Sequence, residues 1–218
     1  MTARRAALFD MDRTLVRAHS GALFVRHQRR KGQATFRDSL RVAYWLMQYT
    51  FGVIDAERAA TQAMEAFRGR SERWLIDECH ELFEHFMRSD IAEAGRHAVR
   101  EHQGRGDFVA IVTGATPYAA RPLAVELGIE HVIATELEVQ DGLFTGRVQQ
   151  PMSYGAGKVV LSERLAGQHA FSLDQATFYS DSITDLPLLE RVGTPVAINA
   201  DARLRRVARK RGWRMENW

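Results

Sequence analysis

Apolar positions along this 218-residue chain fall into two textures. Over residues 1–16 and again from about 106 to 200, short apolar runs alternate with segments of helical period. "AALF" from Ala6, "DFVAIVT", "HVIATEL", "ATFYSD" and "PVAIN" are short and apolar and are bounded by turn residues, the pattern of buried strands. Between them, "PYAARPLAVELG" predicts a helix with Pro117 near its start and Gly128 after its end. "GAGKVVLSERLAG", "DLPLLERVG" and "DARLRRVARKRG" predict three more helices, and "EVQDGLFTGRV" a hairpin turning at Asp141 and Gly142. Strands alternating with helices predict an α/β fold, a Rossmann-like parallel sheet covered on both faces.

Residues 17–100 carry no strand signal. "SGALFVRHQRR", "ATFRDSLRVAYWLMQY", "DAERAATQAMEAFRG", "SERWLIDECHELFEHFM" and "DIAEAGRHAVREH" all have helical period, with Asp55 and Ser71 as N-caps and Gly52 and Gly69 as stops. The expected organisation is an α/β core of residues 1–16 and 101–218, with a helical block, 17–100, inserted after the first strand.

Composition adds limits. Hydrophobic residues at 45% and charged residues at 26% suit a globular domain with a real core. The N-terminus lacks the apolar run of a signal peptide, and "VAYWLMQYTFGVI" is too short and interrupted to span a bilayer. The single Cys79 excludes an internal disulfide, which suits a reducing compartment. A soluble cytoplasmic protein, monomer or homodimer, is expected. Net charge is only +3, and the basic stretch "DARLRRVARKRGWR" puts Leu204, Val207 and Ala208 on one side of a helix, away from most of Arg205, Arg206, Arg209 and Lys210. That is an amphipathic surface helix with a solvated basic face, so no nucleic-acid partner is expected.

Candidate chemistry collects at the carboxyl ends of the predicted strands, where open parallel sheets bind ligands. The first strand runs into "DMDRTL"; in extended backbone Asp10 and Asp12 point the same way, and two such carboxylates repel unless a cation or proton intervenes. An acidic turn accounts for these two residues equally well. The second strand ends in Thr113 and Gly114, a helix start carries Lys158, and "SDSITD" supplies Asp181 and Asp185. Together they make a hard-oxygen magnesium site facing a cationic phosphate site.

"DMDRTL", "VTGAT", "GAGKVV" and "SDSITDLPLL", in that order, resemble the motifs of the haloacid dehalogenase superfamily. The insertion after the first motif is similar to its class-one cap, and the whole chain resembles the phosphoserine-phosphatase-like branch, subfamily IB. The resemblance implies a Mg2+-dependent phosphatase acting on a small phosphomonoester. It implies Asp10 as the nucleophile that becomes an aspartyl-phosphate and Asp12 as general acid and base. Asp10, the backbone carbonyl of Asp12 and Asp181 would hold Mg2+, with Asp185 orienting that shell. Thr113, the amide of Gly114 and Lys158 would hold the phosphate. Two positions depart from the phosphoserine pattern: Thr184 stands in place of an Asn, and His19 aligns with the cap-entry Glu that pairs with the amino group. Phosphoserine is therefore not the expected substrate. A phosphotransferase or mutase would share the same aspartyl-phosphate step, and a basic-tailed nucleic-acid-binding module is the alternative from another class. A dehalogenase would not need Asp12 or the magnesium carboxylates.

Three signals lead nowhere. "GAGKVV" lacks the Gly and the Ser or Thr of a Walker A loop. In "HELFEH", His80 and His85 stand about 140° apart on a helix, which fits the exposed pairs His80–Glu84 and Glu81–His85 better than zinc. Trp45, Met47, Tyr49 and Phe51 read as helix-packing core.

Overall fold

Strand β1, Arg4–Phe9, sends alternate side chains to opposite faces, as extended backbone requires. Ala7 and Phe9 join one apolar layer, while Ala6 and Leu8 join the other. The computed structural model describes residues 4–33 and 65–218. Gly52, Asp55 and the Trp45–Phe51 aromatics lie outside the described residues.

β1 sits inside a six-stranded, all-parallel sheet with β2 (Phe108–Val112), β3 (His131–Ile133), β6 (Phe171–Ser180), β7 (Thr194–Ile198) and β8 (Arg214–Glu216). The order is β3-β2-β1-β6-β7-β8. Phe9 pairs with Ile111 on one side and Tyr179 on the other. The chain therefore runs outward from β1 in one direction, then restarts at β6 in the other. This leaves a crevice at the carboxyl end of β1, the expected place for a ligand in an open α/β sheet.

Helices α3 (Glu93–Gly104) and α4 (Pro117–Leu127) contribute Val99, Ala120 and Leu123 to the Phe9 layer. Helices α5 (Ala156–His169), α6 (Leu186–Arg191) and α7 (Ala202–Arg211) contribute Ala166, Leu188, Leu204 and Ala208 to the Leu8 layer. Fully burying each of the larger aliphatic side chains contributes about 1.5–3 kcal/mol. Pro117 and Gly128 bound α4 as expected, with Gly128 left-handed at φ 65°. On α7, Leu204 and Ala208 are buried while Arg205, Arg206, Arg209 and Lys210 are exposed, the amphipathic division the sequence predicts.

The hairpin is β4 (Leu137–Gln140) and β5 (Leu143–Val148), turning through Asp141 and Gly142 at φ 52° and 75°. "HVIATEL" is thus two elements: β3 stops at Ile133, and the Thr135 amide turns to the Ala115 carbonyl before Leu137 opens the hairpin. β8 is an edge strand without an apolar pattern, which is why the sequence does not announce it.

In the region expected to be helical, the described residues form α1 (Ser20–Arg30) and α2 (Glu72–Leu82). Ser71 caps α2 by accepting from the Trp74 amide. Beyond α2 the chain passes through a π-helical turn, Phe83–Met87, and a 3-10 turn, Arg88–Asp90. Glu81 pairs with Lys31 and Glu84 with Arg88, in place of the two histidine pairs expected there. Helix α3, which spans residue 100, packs against β1 and β2. α2 reaches the sheet side through Leu75, Cys79, Tyr118 and Phe144, and Tyr118 donates to Glu72 at 2.7 Å. No helix among the described residues is long and apolar enough to cross a membrane.

Candidate active site

The backbone leaving β1 decides where the two aspartates point. The Asp10 amide still donates to the Tyr179 carbonyl, so Asp10 continues the strand. The chain then winds tightly, with the amides of Leu15 and Val16 both returning to the Met11 carbonyl at 2.9 Å. Arg13 takes a left-handed φ of 56°, and its carbonyl accepts from Asn199 Nδ2 at 3.0 Å. The extended stretch thus ends sooner than the i, i+2 reading requires. Asp10 faces the sheet's crevice and engages Lys158, while the Asp12 carboxylate turns to the first residue of α1.

Lys158 Nζ lies 2.8 Å from Asp10 Oδ1 and 2.7 Å from Asp185 Oδ2. Ser180, the last residue of β6, donates to the same Asp185 oxygen at 2.7 Å. Lys158 reaches the crevice because the first turn of α5 packs tightly on the preceding loop. A β-carbon on Gly157 would stand 1.9 Å from the Met152 carbonyl oxygen, so only glycine fits. Asp181 follows β6 directly and is 5% exposed; its Oδ2 lies 3.4 Å from Arg13 Nε. Thr113 and Gly114 follow β2, the neighbouring strand, with Thr113 buried and Gly114 exposed. The Thr113 hydroxyl accepts from the Ala115 amide at 3.1 Å.

Among the described residues, three buried carboxylates, Asp10, Asp181 and Asp185, therefore face one buried ammonium, and Arg13 adds only a partly exposed guanidinium. Burial alone would lower the Lys158 pKa, but the carboxylates of Asp10 and Asp185 outweigh it and raise it. The surplus negative charge shows on Asp10 and Asp181. Burial pushes Asp10 up to about 7, against the pull of Lys158 and with a push from Asp185. Asp181 is raised well above 3.8 by burial, then by the charge of Asp10. An all-oxygen site with uncompensated negative charge fits a small hard divalent cation.

This makes a stability prediction. A carboxyl whose folded pKa is raised binds its proton more tightly when folded, so the fold loses stability as pH rises from the unfolded value towards the folded one. Asp181→Asn should therefore melt higher than the parent in chelator at pH 8, and the gain should shrink as pH falls towards 3.8. Each kcal/mol gained corresponds to about 2–4 °C for a chain of this size. Differential scanning fluorimetry across pH is the measurement. A variant no more stable at pH 8, or a gain that ignores pH, would remove the argument for stored repulsion.

The structure thus brings Asp10, Lys158, Asp181 and Asp185 together at one rim, with Thr113 and Gly114 one strand away. Asp12 stands beside them in a separate contact. Sequence reasoning left four supporting residues unassigned. Ser180 holds Asp185, Ser20 holds Asp12, Arg13 pairs with Asp181, and Asn199 holds the Arg13 turn. Ser180 and Arg13 lie inside the quoted motifs, so their position was the available signal. Asn199 had none, because a contact with Arg13 across the sheet has no sequence period.

Known proteins resemble this chain over most of its length. The family model for haloacid dehalogenase-like hydrolases matches residues 7–190. A Mycobacterium tuberculosis protein named as a phosphoserine phosphatase is 36% identical over 220 residues, covering 98% of this chain and 70% of that one. A histidinol-phosphatase of Neisseria meningitidis serogroup C is 29% identical, covering 99% of both chains. The crystal structure of a protein of unknown function from Bordetella pertussis Tohama I superposes with a TM-score of 0.88 at 33% identity, over 99% of each chain. With the motifs set at the sheet's switch point and the family match spanning most of its length, the chain belongs to the haloacid dehalogenase-like hydrolases.

Proposed function

We propose that this phosphatase is Mg2+-dependent and hydrolyses a small phosphomonoester other than phosphoserine, through an aspartyl-phosphate on Asp10. The observation that carries the reading is the buried Asp10–Lys158–Asp185 cluster, with its surplus negative charge, at the carboxyl end of β1. An Asp10 oxygen attacks phosphorus, and the bond from phosphorus to the ester oxygen breaks. Asp12 gives its proton to the departing alkoxide. A water then attacks the aspartyl-phosphate, Asp12 takes a proton from it, and inorganic phosphate leaves as Asp10 is regenerated. Thr113, the Gly114 amide and Lys158 hold the phosphoryl oxygens, and Lys158 also steadies Asp10. Asp10, the Asp12 carbonyl and Asp181 would hold Mg2+, which when bound offsets the repulsion between nucleophile and phosphate. Asp185, fixed by Ser180 and Lys158, keeps that arrangement in place.

The substrate reading rests on His19. Its Nδ1 lies 3.8 Å from Asp12 Oδ2, beside the oxygen that would protonate the leaving group. An imidazole there supplies no fixed negative charge, so a substrate ammonium buried against it would go unpaired, at a cost of about 1–3 kcal/mol. The relatives named for phosphoserine and for histidinol phosphate make both compounds essential members of a test panel. Free-phosphate release should require Mg2+, stop in chelator, and favour aryl or larger, partly apolar phosphomonoesters over phosphoserine. Release that persists in chelator would refute the metal requirement. His19→Glu should shift kcat/KM towards phosphoserine by about tenfold or more, as that cost implies. A wild-type enzyme that prefers phosphoserine across the panel would overturn the reading of His19.

A further inference from the structure

Both carboxylate oxygens of Asp12 are held by one residue. The Ser20 amide donates to Oδ1 at 2.9 Å, and the Ser20 hydroxyl donates to Oδ2 at 2.9 Å. Ser20 is 5% exposed and opens α1, so the helix that begins the inserted region starts on the general acid. The far end of α1 is fixed as well. Around Glu78 of α2, His27 Nε2 stands at 3.0 Å and Gln28 Nε2 donates at 2.6 Å, and Lys31 pairs with the same carboxylate.

We infer that Ser20 is a positioning residue for the acid–base step, setting the direction in which Asp12 presents its proton. The inference rests on the phosphatase reading above. The terminal torsion of an aspartate is soft and roughly two-fold, so a carboxyl held at one point swings. Two donors on one rigid segment fix its plane. They also distinguish its oxygens. The amide can only donate, so Oδ1 stays an acceptor and the proton belongs on Oδ2. The hydroxyl can donate to Oδ2 whether Asp12 is ionised or protonated, because a protonated carboxyl oxygen keeps acceptor capacity. The hold therefore survives both halves of the reaction. The competing account is that Asp12 merely caps α1, satisfying its first amide. A cap affects stability and does not discriminate between leaving groups.

The test is kcat/KM, which reports transfer to Asp10, on a series from p-nitrophenyl phosphate to simple alkyl phosphates. Ser20→Ala and Ser20→Gly remove the hydroxyl and keep the amide; Ser20→Thr restores it. The general acid matters most for poor leaving groups, so both deletions should lose about 10–100-fold on alkyl phosphates and far less on p-nitrophenyl phosphate. Ser20→Thr should recover most of the difference, and Asp12→Asn should show the same leaving-group slope more steeply. Equal loss across the series in both deletions, or none, overturns the inference while a sloped Asp12→Asn leaves the phosphatase reading standing. A flat Asp12→Asn response removes Asp12 as the acid, and the inference with it.

Discussion

Asp10→Asn is expected to lose turnover on every phosphomonoester, by on the order of 10^4-fold or more, as loss of a covalent nucleophile does. The amide has nearly the shape of the carboxylate, so the variant should keep the fold and remain able to bind substrate. It cannot form the acyl-phosphate. The loss should be independent of leaving group, because the nucleophile is needed before the leaving group matters. This separates Asp10 from Asp12. The two residues are close in sequence but face different partners, Lys158 for one and Ser20 for the other. Steady-state kinetics with circular dichroism on the same preparation checks the result. Hydrolysis within a few-fold of wild type would remove Asp10 from its role.

Lys158→Met should damage both activity and stability. The side chain is 3% exposed and bridges two carboxylates that are themselves buried. Removing one partner of a buried ion pair leaves the other charge uncompensated, at a cost of about 3–5 kcal/mol. Activity should fall by about 10^2–10^3-fold through lost stabilisation of transferring charge. The two losses can be separated. Adding Asp185→Asn to Lys158→Met removes one orphaned charge and should recover part of the stability in denaturant titrations, without restoring turnover. A Lys158→Met protein as stable as the parent would contradict the charge balance described for this site.

Most core strands were legible because they are short and apolar, and several elements are closed by a residue with one evident job. Pro117 and Gly128 bound a helix, and Asp141 with Gly142 turns a hairpin. The carboxylates, Lys158, Thr113 and Gly114 were legible for a related reason. Parallel strands put their carboxyl ends at one edge, so residues far apart in sequence meet there whatever the details of packing. Side-chain direction was less legible. Asp10 and Asp12 alternate as a strand would have them, yet their carboxylates meet different partners, Lys158 and Ser20, and Arg13 just beyond them is left-handed. The Arg13 carbonyl there accepts from Asn199, which follows β7 and lies far from Arg13 in sequence. β8 was illegible because an exposed edge strand needs no apolar alternation.

Phosphate is expected to pass through a covalent bond to Asp10. The direct measurement uses Asp12→Asn, in which loss of the general base slows hydrolysis of the intermediate while p-nitrophenyl phosphate, a good leaving group, still allows it to form. The variant is mixed with Mg2+ and substrate, quenched in acid within the first turnover, digested and analysed by mass spectrometry. One added phosphoryl group is expected on the peptide that contains Asp10, localised to that residue and absent when Asp10→Asn is combined with Asp12→Asn. Phosphate on another residue, or turnover with the Asp10 peptide unmodified throughout, would contradict it.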